Sequence, residues 1–204
     1  MSQLNKIKQM LANGRLDRRG FMQGAMALGV TISAASLIAA DVQAAQPQSG
    51  GTLRIGKGHG STTDSLDPGT AENGFMTQTG YCYGNHLTEV NTNGDLVPEL
   101  CEGYSSEDAV TWRFDMRQGV EFHNGKTLTA EDVIASLQHH MGDDSKSAAK
   151  GLLSTINSMS ADGNTVVIEL TGPDAGFPFI MSDYHLIIMP SVDGKVDATA
   201  GVGT

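Results

Sequence analysis

The chain has 204 residues, 39% of them hydrophobic and 5% aromatic, with 13 Lys/Arg against 23 Asp/Glu for a formal net charge of -10. Residues 1–45 hold five of the Lys/Arg and two of the Asp/Glu, a local +3, which leaves -13 on the rest. So acidic a surface repels nucleic acid and anionic lipid, and no basic patch with interleaved aromatics interrupts it.

At the amino terminus Lys6, Lys8, Arg15, Arg18 and Arg19 precede an apolar, Ala- and Gly-rich stretch from Phe21 to Ala40. Val42-Gln43-Ala44 then offers small residues at the minus-three and minus-one positions of a cleavage site, so residues 1–44 read as a signal peptide and the mature chain is expected to begin at Ala45. Asp17-Arg18-Arg19-Gly20-Phe21-Met22 resembles the twin-arginine export motif, with Arg18 and Arg19 as its pair. That implies recognition by the twin-arginine translocase, export in a folded state and a periplasmic location. The apolar run approaches the ~20 residues that span a bilayer, but its Ala, Gly and Ser content and the cleavage site argue against a retained anchor. No Cys follows it to carry a lipid.

Residues 45–204 are enough for one domain with a sizeable core. Thr52 to Gly56 reads as a short strand, Lys57 to Gly69 as a loop rich in Gly, Ser, Thr and Asp, and Phe75 to Leu87 as a helix. Tyr104 to Glu107 and Thr111 to Met116 make a hairpin around Asp108-Ala109. Within the second of these, Trp112, Phe114 and Met116 alternate with Arg113, Asp115 and Arg117, the period of a half-buried strand. Gln118-Gly119 breaks it, Val120 to Phe122 is a short strand, and Asn124-Gly125 a turn. Thr129 with Asp132 three residues on reads as a helix N-cap pair before Val133, Ile134 and Leu137. Ser147 to Thr155 suggests a short helix, and Ile156 to Ser160 and Thr165 to Leu170 a hairpin around Asp162-Gly163-Asn164. Ala175 to Met181 reads as a helical turn and Leu186 to Met189 as a buried strand ending at Pro190. Such alternation predicts a mixed α/β (α+β) domain.

The string from Thr111 to Val133, with its Arg-x-Gly-Val-x-Phe-x-x-Gly core and Thr-Ala-Glu-Asp-Val helix start, closely resembles the signature of the extracytoplasmic solute-binding proteins of family 5. These are the peptide, dipeptide and nickel binding components of bacterial ABC importers. Gly51 to Gly56, Leu66-Asp67-Pro68 and Gly94 to Leu100 resemble further motifs of the family in the same order. The motif itself is scaffold. The resemblance implies a periplasmic binding protein-like fold with two lobes closing over a ligand by hinge motion. Family members are much longer, and Gly201 to Thr204 resembles the start of the family's Gly-Thr-Gly-Pro segment, so residues 45–204 are expected to be the amino-terminal portion of the solute-binding domain.

The implied function is that of the periplasmic substrate-binding component of an ABC importer, with a peptide as favoured ligand and the inner-membrane ABC permease as partner. Two other classes compete: an exported enzyme carrying a cofactor, and a binding protein serving chemoreception or chaperoning. No cofactor motif is found, and nothing specifies catalysis.

For ligand contacts, the loop leaving a strand at the carboxyl edge of a sheet is the favoured place in open α/β folds, and glycine lets backbone approach a ligand. In the resembled family this loop lies at the cleft, which selects His59, Gly60, Ser61 and Thr62. Gly56, Gly58 and Gly60 with Lys57 lack the Gly-Lys-Ser/Thr pattern of a phosphate loop. His139 and His140 each have an Asp four residues on, Asp143 and Asp144, a spacing that shares a helix face; adjacent histidines point about 100° apart, so one metal site is not expected. Cys82 and Cys101 are either bridged, a closure worth roughly 3 kcal/mol in the chain-entropy model, or free as small buried apolar residues. The family often has Ala at the position resembling Cys101.

Overall fold

A computed structural model describes residues 2–44 and 51–204 and divides into two units, Met1–Ile55 and Gly56–Thr204. In the first, three helices follow one another: α1 (Gln3–Ala12), α2 (Arg18–Ala27) and α3 (Ile32–Ala44). Ser2 Oγ accepts the Asn5 N–H at 3.3 Å and Asp17 Oδ1 the Gly20 N–H at 2.7 Å, the side-chain caps that start α1 and α2. The apolar stretch from Phe21 to Ala40 is not one helix. Gly29 takes a left-handed φ of 83° just past α2, and Thr31 Oγ1 accepts the Ala34 N–H at the start of α3; a left-handed glycine ends one helix and a hydroxyl begins the next. Phe21, Ala25, Ala35 and Ala39 pack with Leu11 in the seam between the helices. Among the described residues no helix is long and apolar enough to cross a membrane. The proposed mature start, Ala45, lies outside the described residues.

The strand expected over Thr52 to Gly56 does not form. Leu53 and Ile55 are 84% and 58% exposed, and no strand among the described residues pairs with them. A strand exists through its ladder, and without a neighbour the alternating pattern has nothing to bury against.

In the second unit, β3 (Cys101–Ser105), β4 (Thr111–Met116), β5 (Ile156–Asp162) and β6 (Thr165–Leu170) form an antiparallel sheet in the order β3-β4-β6-β5; β1 (Thr88–Val90) pairs with β2 (Leu96–Pro98), and β7 (Ser191–Val192) with β8 (Lys195–Val196). Three helices accompany them, α4 (Gly74–Tyr83), α5 (Ala130–Met141) and α6 (Phe177–Ile180), giving the mixed α/β class expected. The β4 alternation holds: Trp112, Phe114 and Met116 are buried and Arg113 and Asp115 exposed. The register sets Trp112 opposite Ile168 and Phe114 opposite Val166, while Val133 and Leu137 of α5 complete the same core. Each such side chain contributes roughly 1.5–3 kcal/mol by leaving water.

Both hairpin turns stand where the sequence puts them. Asp108 Oδ1 accepts the N–H groups of Val110 and Thr111 at 2.8 and 2.9 Å, and Gly163 is left-handed at φ 61°. Because the Asp108 turn consumes residues 106–110, β3 ends at Ser105 and extends upstream to Cys101, not over Tyr104 to Glu107. Asp132 Oδ2 accepts the Thr129 N–H at 3.0 Å, the capping contact expected for α5. Other boundaries moved. Val120 to Phe122 supplies a single bridge, Glu121 to Thr127, and Ser147 to Thr155 a 3-10 turn over Ala148–Gly151. α4 stops at Tyr83, short of Leu87, because Gly84 passes so close to Ile187 that a Cβ there would collide with it. Leu186 to Met189 is buried as expected but forms no strand among the described residues: its N–H groups donate to the Asp183 and Asn85 carbonyls and to Ser136 of α5, outside any ladder.

Candidate functional site

The loop from Lys57 to Gly69 leads into α4, and the sequence of polar residues along it decides its course. His59, Gly60, Ser61 and Thr62 are all exposed, and His59 takes a left-handed φ of 71°, uncommon for a residue with a Cβ. The Ser61 N–H donates to Asp64 Oδ2 at 2.7 Å, and Asn73 Nδ2 donates to Asp64 Oδ1 at the same distance. Asn73 Oδ1 in turn accepts the N–H groups of Phe75 and Met76 at 3.0 Å each and so caps α4. Asp64 therefore ties the candidate ligand residues to the amino end of α4. A Cβ at Gly60 would lie 3.6 Å from the exposed Phe75 ring and 3.7 Å from Asp64 Oδ2. The site is an open polar surface with one aromatic face, suited to non-covalent recognition.

Sequence reasoning selected His59 to Thr62; Asp64, Asn73 and Phe75, which the fold places beside them, were not selected. Asn73 was legible as an N-cap residue type before the α4 pattern. Asp64 was not, because its role depends on bonding in two directions.

The far end of the loop is held by a different set of groups. Asp67 Oδ1 accepts the Gly69 N–H at 2.9 Å and lies 3.0 Å from His139 Nε2 on α5, and the Tyr83 hydroxyl donates to the Leu66 carbonyl at 2.8 Å. The hydrogen bond from His139 holds the Asp67 carboxyl below its ordinary range, and the same bond raises His139 above that of a free imidazole. Neighbouring His140 is fully buried; burial pushes it down to about 4 and it is neutral near pH 7. His140 Nδ1 is 2.7 Å from Ser147 Oγ, and its buried Nε2 has no partner among the described residues. A cleft of about 510 Å³ opens beside Asp67 and His139, lined also by Thr70, Asp143, Asp144 and Lys146.

The helix-face pairing of His139 with Asp143 and His140 with Asp144 is thus corrected. α5 ends at Met141, so both aspartates lie beyond it, and the histidines take partners from distant segments. Among the described residues no three His, Cys, Asp or Glu side chains are grouped to hold a metal.

The disulfide alternative is corrected too: Cys82 and Cys101 are both free, Cys82 exposed on α4 and Cys101 buried at the start of β3. Cys101 Sγ donates to the Leu87 carbonyl at 3.0 Å, and burial pushes its thiol up to about 11. In the amino-terminal unit Arg18 and Arg19 are exposed on the first turn of α2.

The chain matches the family described as bacterial extracellular solute-binding proteins, family 5 Middle, over residues 95–204. It is similar to the HTH-type transcriptional regulator SgrR of Yersinia enterocolitica serotype O:8 / biotype 1B, with 30% identity over 128 residues that make up 62% of this chain and 22% of the regulator. SgrR of Salmonella typhi is 32% identical over 128 residues, with the same coverage. Among solved structures it is similar to the PBP AgaA of A. tumefaciens R10 in complex with agropinic acid, at 28% identity and TM-score 0.59, covering 62% of this chain and 26% of that one. A nickel ABC transporter structure from Bacillus halodurans gives 29% identity and TM-score 0.56, covering 63% and 26%. The periplasmic murein tripeptide binding protein MppA, at 23% identity and TM-score 0.59 and covering 63% and 28%, shares the fold. The chain spans about a quarter of the length of these proteins.

Proposed function

We propose that this chain, which belongs to the bacterial extracellular solute-binding proteins of family 5, is part of the periplasmic binding component of an ABC importer for peptides. The observation that carries the peptide reading is the backbone of Gly58 to Gly60. It is exposed and outside any ladder, next to the aromatic face of Phe75. An extended peptide offers alternating N–H and C=O groups to such a segment, and its side chains an apolar surface to the ring. Ligand would be enclosed by closure of a second lobe and handed to the inner-membrane permease, with no covalent step required.

Export as a folded protein through the twin-arginine translocase belongs to the same proposal and is supported by Arg18-Arg19 and by the apolar run that follows. The similarity to SgrR supports a second reading, in which the same module senses a solute for regulation. It does not bring nucleic-acid binding with it, since the residues after 45 carry -13 and an acidic surface repels phosphate.

Calorimetry on the complete protein with defined tri- to pentapeptides, agropinic acid and a nickel–histidine complex tests the ligand class. Peptide binding with hinge closure is expected; binding of agropinic acid or the nickel complex alone overturns the peptide reading. Residues 45–204 alone are expected to bind no peptide tightly, because half a site must still offset the lost translational and rotational freedom. Native mass measurement of the complete protein separates the cofactor-carrying enzyme reading: a bound redox cofactor would favour it.

A further inference from the structure

We propose that Asp67 and His139 form a protonation-controlled clasp that fixes the ligand loop and α4 against α5 in acid and loosens them in base. This rests on the reading of the loop as the ligand site for its consequence, though not for its mechanism.

The Asp67–His139 bond sits at a branch point, beside the Tyr83 to Leu66 hydrogen bond and the close approach of Gly69 to Ser147. Asp67 caps the Pro68–Thr70 turn through the Gly69 N–H, immediately before α4 and a few residues after the His59 to Thr62 segment. His139 comes from α5, which is anchored independently: Asp132 binds Ser191 through both the N–H and the hydroxyl at 2.7 Å, and Ser136 holds Met189. On the loop side Pro68 and Gly69 are themselves buried, so the bond to His139 adds to packing already present, and its weakening lowers the protection of the segment around Asp67 without releasing it.

Charged and titratable groups facing His139 come from every neighbouring element. The loop contributes Asp67, with Tyr83 of α4 behind it. Asp143, Asp144 and Lys146 follow α5 around the first cleft, Lys195 of β8 shares a second cleft with His139, and His140 stacks edge-on at 5.2 Å between ring centroids. His140 is neutral near pH 7, and the hydrogen bond and charge of Asp67 favour the imidazolium at 139 against its partial burial. Protonated His139 donates Nε2–H to a carboxylate, a charge-assisted bond; neutral His139 offers an ordinary one.

His139 is raised in the folded state, so its contribution is complete below the unfolded value of about 6.5 and is lost as pH rises through the raised value. Asp67 is lowered, so its contribution is complete above about 3.9 and is lost as pH falls through the lowered value. The clasp is therefore tightest in mild acid and loosens as pH rises through the raised His139 value.

The complete protein, without ligand, is tested by amide hydrogen exchange corrected for intrinsic rates, with the His139 titration followed by NMR. Protection of residues 66–76 is expected to fall roughly tenfold between pH 5.5 and 8.5, the scale of one charge-assisted hydrogen bond, with its midpoint at the His139 titration. In His139→Gln, which keeps a hydrogen-bonding side chain and cannot titrate, the segment should be pH-independent. The same pH dependence in that variant, or flat protection in the wild type while His139 titrates, overturns the clasp. Failure to bind peptides in the separate calorimetry would overturn the ligand reading and leave this result standing.

Discussion

Gly203 and Gly84 meet backbone to backbone: a Cβ at Gly203 would lie 2.8 Å from the Gly84 Cα and run into the Tyr83 carbonyl. The contact brings the segment that bonds His123, through Gly203 O at 2.9 Å, against the end of α4, and Gly84 on its other side presses on Ile187. Two glycines in series make the close approach: the neighbours of Gly203 are backbone atoms, which cannot swing aside, and that of Gly84 is the branched side chain of Ile187.

Gly203→Ala in the complete protein should therefore destabilise by about 1–3 kcal/mol, the usual cost of overpacking a filled interior. Urea denaturation monitored at Trp112 measures it. A midpoint within error of the wild type would mean that the two segments separate without cost.

Thiol titration should count two free cysteines with different behaviour. Cys82 is exposed and should react at once with a thiol reagent at pH 8, whereas Cys101 should react after denaturation, since it is buried and its thiol is held up to about 11. No reactive thiol in denatured, unreduced protein would restore the disulfide.

Near pH 5 the two histidines of α5 should pull in opposite directions. His140 is depressed to about 4 in the folded state, so the unfolded chain takes up its proton first as pH falls below about 6.5, and stability declines by up to ~1.4 kcal/mol per unit from this group. His140→Gln should remove that decline and leave the gain from His139. Melting temperatures from pH 7 to 4.5 compare the two; parallel profiles would contradict a buried neutral His140.

Replacing Gly60 or Ser61 with tryptophan should weaken peptide binding by tenfold or more without unfolding, because the loop is exposed while the Trp112, Phe114 and Met116 core lies elsewhere. Circular dichroism serves as the folding control, and unchanged affinity would remove His59 to Thr62 from the binding surface.

Export should depend on Arg18-Arg19. Changing both to Lys conserves charge and removes the motif, and the double variant is expected to remain in the cytoplasm; normal export would leave a general secretion signal.

The sequence by itself determined what is local. Alternation along Trp112 to Met116, the Asp108 and Gly163 turns and the Thr129–Asp132 cap each depend on residues a few positions apart, where side-chain period and backbone preference act before any packing does. Family membership was legible for the same reason, since the string from Thr111 to Val133 encodes that local scaffold. Only the tertiary structure decided the rest. Whether Leu53 and Ile55 form a strand depends on a partner, α4 ends where Ile187 lies across Gly84, and Cys101 turns to the Leu87 carbonyl, not to Cys82. His139 pairs with Asp67, 72 residues earlier, and not with the aspartate four residues on, because the helix that would have aligned it with Asp143 stops at Met141 and the fold brings the loop to the imidazole. Spacing along the chain sets which groups can meet within a turn or a strand; across longer separations the packing of the core chooses among many compatible partners, and no periodicity records that choice.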